Sequence, residues 1–239
     1  MNFIINTLYL IFIVAYFFYS LLFVLRKDIM CIIGRKDKAQ KYIHLKAKGW
    51  AKNAIMMTGS SVTIIGKENI PEGPVLIVAN HQSNFDIMTL LSTIDKPLGF
   101  IAKKELGKVP FLSYWMKAIG CVFIDRDNPR EGLKAIGVGI EKLKNGHSLV
   151  VFPEGTRSRD GKLGEFKAGS FRLATKSRVP VLPIALQGTG MVYEMNSHHL
   201  GSSKIVMKIL PPIIVADLDK SEMDQLPDRT KQAIENALA

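Results

Sequence analysis

Between Phe3 and Leu25 the chain reads FIINTLYLIFIVAYFFYSLLFVL, an apolar run with no charged side chain and no polar face at helical spacing. A helix of that length, rising about 1.5 Å per residue, matches the roughly 30 Å hydrocarbon layer of a bilayer. A helix from a soluble core would carry a polar stripe, and this one carries none. A cleaved signal peptide also fits poorly, because the run is too long, no Lys or Arg precedes it, and no A-x-A-like site follows. The segment reads as membrane-associated, and hydropathy alone fits both a full crossing and a bend back within one leaflet.

After residue 60 the pattern changes to short β-branched runs separated by helical stretches. Strands are predicted at Val62–Ile65, Val75–Val78, Leu98–Ala102, Val122–Ile124, Ser148–Phe152, Val181–Leu186 and Lys204–Ile209. Helices are predicted at Ile87–Ser92, Phe111–Ile119, Arg130–Lys144 and Ser170–Lys176, with more helix over Asp219–Leu238 and Pro227 near a break or a first turn. Strands alternating with helices imply an α/β layered domain with a mostly parallel central sheet flanked by helices. Several strands are nearly continuous apolar runs, as strands covered on both faces must be. The expected division is 1–58 for membrane-anchoring helices and 59–239 for the α/β domain.

Charge sharpens this picture. The formal net charge of +11 points to an anionic partner, and no nucleic-acid motif accompanies it. Residues 26–52 carry Arg26, Lys27, Arg35, Lys36, Lys38, Lys41, Lys46, Lys48 and Lys52 against Asp28 and Asp37 alone. Basic residues beside an apolar segment favour the cytoplasmic side and attract anionic headgroups. Tyr42, Ile43, Trp50, Ile55 and Met56 suggest a second, amphipathic helix lying at the interface. Cys31 and Cys121 give neither a disulfide framework nor metal-ligand spacing, and the His198–His199 pair lacks further ligands, so no metal site is expected.

Candidate chemistry sits where strands end. The strand VLIVA runs into Asn80-His81-Gln82-Ser83-Asn84-Phe85-Asp86. Within one helix, positions five apart differ by about 140° and face away from each other. A turn with Ser83 or Asn84 as the helix cap leaves His81 in the loop and Asp86 in the first turn, free to meet. A carboxylate bonded to one imidazole nitrogen fixes the tautomer and leaves the other nitrogen as a base. This is the His–Asp half of a hydrolase triad without a serine elbow, and an acceptor that brings its own hydroxyl removes the need for that serine. Lys103 and Lys104 follow the third strand and suit phosphate as point charges. After the fifth strand comes Pro153-Glu154-Gly155-Thr156-Arg157-Ser158. There Gly155 permits a tight turn, Thr156 and Ser158 offer hydroxyls, and Arg157 offers a fork suited to phosphate. Glu154, awkward beside an anion, is expected to orient Arg157 or a substrate hydroxyl.

Four blocks in this order, NHQSNFD from Asn80, KKELGKVP from Lys103, FPEGTRS from Phe152 and VPVLPIA from Val179, resemble the glycerolipid acyltransferase family. Within it they are most similar to the bacterial 1-acylglycerol-3-phosphate acyltransferases, over residues 75–190. The resemblance implies that His81 is the general base and Asp86 its partner. It implies that Lys103, Lys104 and the Glu154–Ser158 turn hold the phosphate and glycerol of an acceptor. It further implies transfer of an acyl chain from acyl-CoA or acyl carrier protein to the sn-2 hydroxyl of lysophosphatidic acid, at the cytoplasmic side of the cell membrane, with no separate cofactor. Another lysophospholipid or glycerol 3-phosphate as acceptor, and a non-catalytic protein that binds anionic membrane lipids, are the alternatives to be tested.

Overall fold

The computed structural model describes residues 2–158 and 161–239. Two helices lead, α1 (Asn2–Ile32) and α2 (Lys36–Met56). The alternation then runs β1 (Ser61–Ile65), β2 (Leu76–Ala79), α3 (Asn84–Thr93), β3 (Leu98–Lys103), α4 (Leu112–Ala118), β4 (Val122–Ile124), α5 (Pro129–Lys144) and β5 (Ser148–Val151). It continues with α6 (Ala168–Ser177), β6 (Val181–Gln187), β7 (Lys204–Ile209), α7 (Lys220–Asp224) and α8 (Leu226–Leu238). The seven strands form one sheet in the order β1-β7-β6-β2-β5-β3-β4. Every neighbouring pair is parallel except β6 and β7, which run antiparallel with Ile184 opposite Ile209. Each predicted strand is present.

The continuous apolar strands are explained by two separate cores. In and just before β2, Val75, Ile77 and Ala79 face a cluster with Ile43 and Ala47 of α2, Leu90 and Leu91 of α3 and Trp115 of α4. Leu76 and Val78 face the opposite way, toward Leu143 of α5, Phe171 and Leu173 of α6 and Ile234 of α8. The sheet is thus the middle layer of three, and the period-2 alternation of side chains feeds both outer layers. Glycine decides one contact: a Cβ on Gly139 of α5 would stand 2.5 Å from Leu173 Cδ2, so its absence lets α5 and α6 close together.

The local stops follow from short polar residues. Ser83 caps α3, accepting the Phe85 N–H on its hydroxyl, while Asp86 returns a bond to the Ser83 N–H, which makes a capping box. Asn128 caps α5 through the N–H groups of Arg130 and Glu131, with Pro129 in the first turn. Pro227 likewise opens α8, where a missing N–H costs nothing.

The N-terminal pair differs from expectation in one respect. Ile43, Ala47, Ala51 and Ile55 of α2 are buried against the protein, chiefly on α3, so most of its apolar face is covered by protein, while Met56 at its end stays exposed. Its lysines Lys36, Lys38, Lys41 and Lys52 remain exposed. Helix α1 is the one described helix long and apolar enough to cross a membrane, with Leu8, Ile11, Phe18, Leu22, Leu25 and Ile29 exposed. Polar groups tie its other face to the domain along its length. The Asn6 amide donates to the His198 carbonyl and accepts the Leu200 N–H, the Tyr9 hydroxyl donates to the Ala54 carbonyl, and the Trp115 indole donates to the Ser20 hydroxyl at 2.7 Å. Near its end Asp28 accepts the Tyr114 hydroxyl.

Candidate active site

Strands β2 and β5 are neighbours, so the loops at their C-terminal ends, His81–Ser83 and Pro153–Ser158, emerge side by side. On the other flank of β2, the ladder to β6 ends at Ala79 opposite Ile184. The buried Asn80 side chain extends it, donating to the Leu186 carbonyl at 2.9 Å and accepting the Leu186 N–H at 2.7 Å. His81 therefore leaves the sheet from a fixed point.

The His81 ring and Asp86 meet across the turn, Nδ1 to Oδ2 at 2.8 Å. The same Oδ2 accepts the Gln82 N–H at 2.7 Å and the Ser83 N–H at 2.8 Å, and the Asp86 side chain is fully buried. A carboxylate with three donors on one oxygen is held in place by the backbone before the imidazole is counted. With Nδ1 committed to Asp86, Nε2 is the nitrogen left to act as a base. The His81 ring also stacks on Phe152 at 4.0 Å between centroids and 14° between planes, which fixes its tilt.

Two further bonds weld the His81 loop to the turn after β5. Glu154 accepts the His81 N–H on Oε1 at 2.8 Å, and the Ser158 N–H donates to the His81 carbonyl at 2.8 Å. Glu154 Oε2 accepts the Gly164 N–H at 2.9 Å. Glu154 is thus a brace between three backbone segments with both carboxylate oxygens engaged, in place of the expected role of orienting Arg157 or a substrate hydroxyl. Burial raises its carboxyl above the usual range, although both N–H bonds and nearby His81 pull the other way. Gly155 has φ +78°, and a Cβ there would lie 2.8 Å from Lys167 Nζ, so glycine serves both the turn and the close approach.

These groups open on a cavity of about 1560 Å³. Its lining includes the cations Lys103, Arg126, Arg157 and Lys167, together with His81, Gly155, Thr156 and Ser158. It also includes the apolar side chains of Ala47, Trp50, Leu91, Phe100, Ile119 and Cys121, and Ser20 places α1 on its wall. Burial pushes the Cys121 thiol up to about 12, so it behaves there as a small apolar side chain. Lys104 and Glu154 are the predicted substrate-binding residues that the fold turns aside: neither lines the cavity, and Lys104 pairs with Asp125 at 2.7 Å. Arg157 reaches Glu194, Nη1 to Oε1 at 2.9 Å.

Arg126, Lys167 and Glu194 are among the lining residues that the sequence motifs do not mark. Arg126 donates to the Gly155 carbonyl and lies two residues beyond β4, a strand-end position at which site residues of α/β sheets gather. That position was the available signal. Lys167, at the start of α6, and Glu194, in the turns before β7, carried no comparable mark.

Comparisons with known proteins agree with this geometry. The family model described as Acyltransferase matches residues 61–187. The 1-acyl-sn-glycerol-3-phosphate acyltransferase of Saccharomyces cerevisiae is 31 % identical over 215 residues, covering 88 % of this chain and 70 % of the yeast protein. A chloroplastic 1-acyl-sn-glycerol-3-phosphate acyltransferase of Arabidopsis thaliana is 41 % identical over 160 residues, which are 66 % of this chain but only 44 % of the plant protein. Among solved structures, the 1-acyl-sn-glycerophosphate (LPA) acyltransferase PlsC of Thermotoga maritima superposes with a TM-score of 0.83 at 34 % identity, covering 100 % of this chain and 98 % of that one.

Proposed function

The chain belongs to the acyltransferase family, and from that premise we propose that it acylates the sn-2 hydroxyl of 1-acyl-sn-glycerol 3-phosphate to give phosphatidic acid. The observation that carries the reading is the His81–Asp86 pair, 2.8 Å apart, with His81 on the wall of one cavity lined by both cationic and apolar side chains. A lysophosphatidic acid has that polarity: an anionic phosphate, a hydroxyl within a few bonds of it, and an acyl chain.

In the proposed reaction the acceptor phosphate lies among Arg157, Lys103 and Arg126, and its hydroxyl faces His81 Nε2. His81 removes the hydroxyl proton as the oxygen attacks the carbonyl carbon of an acyl thioester. The C–O bond forms, the C–S bond breaks, and the proton leaves with the thiol. Asp86 stabilises the imidazolium that exists between these events. The two substrates balance the reaction by themselves. Acyl-CoA and acyl carrier protein both present a thioester and negative charge, and the exposed lysines of α2 suit either. In this reading the exposed apolar face of α1 rests in the membrane where both acyl chains reside, and the basic stretch after it supports a cytoplasmic position for the α/β domain.

The test is turnover of one acyl-CoA with purified protein and a panel of acceptors in mixed micelles: lysophosphatidic acid, glycerol 3-phosphate, lysophosphatidylcholine and monoacylglycerol. Lysophosphatidic acid is expected to give the highest kcat/KM. A higher value for any other acceptor overturns the substrate assignment. A folded His81→Ala protein with near-normal turnover overturns the mechanism.

A further inference from the structure

Arg157 is one of the groups assigned to the acceptor phosphate, and 45 % of its side chain is accessible. A long side chain this open would sample many rotamers unless something held it. What holds it is Glu194, whose own side chain is 15 % exposed and whose carboxylate is anchored independently of Arg157. Glu194 Oε1 accepts the Asn84 N–H at 2.9 Å, and Oε2 accepts the Ser83 hydroxyl. Both donors belong to the N-terminus of α3, where unpaired N–H groups and the helix dipole favour a carboxylate. The turn that carries Glu194 is pinned from behind by α1, because the Asn6 amide bonds both the His198 carbonyl and the Leu200 N–H.

The consequence is a continuous chain of bonds from the base to the phosphate-binding arginine. His81 is held by Asp86, Asp86 belongs to the first turn of α3, the start of that turn holds Glu194, and Glu194 holds Arg157. A guanidinium has five N–H donors, and Glu194 engages one nitrogen, so the rest of the fork remains for a ligand. We propose that Glu194 is a positioning residue for acceptor recognition, which preorganises Arg157 for the phosphate at a fixed distance from His81. The inference rests on the acceptor reading above and identifies what orders that site before substrate arrives. Ordering the side chain in advance removes that cost from binding and leaves the chemical step alone.

The experiment measures kcat and KM for lysophosphatidic acid in Glu194→Ala, Glu194→Gln, Arg157→Ala and the combined variants, with thermal unfolding as the check on folding. Glu194→Ala is expected to raise KM roughly threefold to tenfold, the range set by one immobilised long side chain, with kcat within about twofold of wild type. Glu194→Gln keeps an oxygen for Asn84 and Arg157 and is expected to recover most of that loss. In the Arg157→Ala background, removing Glu194 is expected to leave KM unchanged, because the two act as one unit. A role confined to capping α3 would instead lower kcat through Asp86, equally in both backgrounds, and would overturn the proposal. So would an unchanged or lower KM in Glu194→Ala. If Glu194→Ala does not fold, the same comparison of KM in both backgrounds is made with Glu194→Asp, which keeps the charge but is one methylene too short to bridge α3 and Arg157, and a KM equal to wild type beside Arg157 overturns the proposal. Wild-type protein that fails to acylate lysophosphatidic acid overturns the acceptor reading and this inference together. Acylation by wild type with no shift in the variants overturns the inference alone.

Discussion

Replacing Asp86 by Asn isolates the charge of the carboxylate from its geometry. Three donors converge on Oδ2, namely the His81 ring, the Gln82 N–H and the Ser83 N–H, while Oδ1 is buried with no partner among the described residues. An amide oxygen can occupy the Oδ2 position and accept all three, so the capping box and the His81 tautomer persist. The amide nitrogen then lies where Oδ1 was, a buried donor without an acceptor, at a cost of about 1–3 kcal/mol in stability. The effect on rate is larger. A unit charge 2.8 Å from the imidazolium, at an effective dielectric of about 20, contributes at most about 6 kcal/mol to the charged intermediate state. The corresponding exchange in a serine-hydrolase triad lowers kcat about 10⁴-fold, or roughly 5 kcal/mol, a loss that there includes the wrong histidine tautomer and so serves here as an upper bound. Asp86→Asn is therefore expected to fold, to melt slightly earlier, and to lose roughly 10³-fold to 10⁴-fold in kcat. KM for the acceptor should stay near wild type, because no phosphate-facing cation is touched. Thiol release from acyl-CoA measures kcat, and circular dichroism during heating measures folding. A folded Asp86→Asn protein that keeps more than a tenth of wild-type kcat would refute the assignment of Asp86 as the partner of a charged base.

Two other substitutions probe the frame around the site. Asn80→Ala leaves the N–H and C=O of Leu186 without their partners at the end of β2, and a loss of roughly 2–5 kcal/mol is expected in urea unfolding; a loss under 0.5 kcal/mol would mean that the strand ends reseal by themselves. Asp95 follows α3 and bonds Lys48 of α2 and Lys67, which hold its carboxyl down to about 2 from an ordinary value of 3.8. A depressed folded value means that its stabilisation is complete above 3.8 and fades as pH falls toward 2. Asp95→Asn should flatten acid unfolding over that interval, by a modest amount because the side chain is half exposed; an unchanged acid profile counts against the ion pairs.

The sheet was legible because each strand carries its own signal. Leu76-Ile77-Val78-Ala79 and Leu149-Val150-Val151 are apolar on both faces, a pattern that only a covered strand satisfies. The turn at Ser83 was legible from capping chemistry, since a helical His81 could not meet Asp86. Partners that depend on side-chain direction were harder to see. Glu154 and Arg157 are three apart in sequence, yet the turn at Gly155 sends them to different neighbours, His81 and Gly164 for one and Glu194 for the other. Lys103 and Lys104 are adjacent, and the 3₁₀ turn that begins at Lys104 aims only the first at the cavity. The apolar face of α2 misled for a related reason: periodicity announces that a face is covered, but not whether lipid or protein covers it. Glu194 could not be found by any local rule, because it joins residues more than a hundred positions away.

The clasp between α1 and the rest of the chain has a consequence in time. Asn6 and His198 are 192 residues apart, and the helix is synthesised first while the turn that holds it is synthesised near the end. At about 5–20 residues per second, roughly 10–40 s pass between the two. When the helix emerges, neither Ala54, Trp115 nor His198 exists, so at first its apolar surface has no protein to cover it. An uncovered surface of this kind draws nascent chains into aggregates unless something else shelters it. A bilayer is the shelter that accepts α1 immediately. Under the proposed membrane seating of α1, the bilayer acts first as a holding surface for an unfinished chain, and the α/β domain completes its fold against a helix already in place.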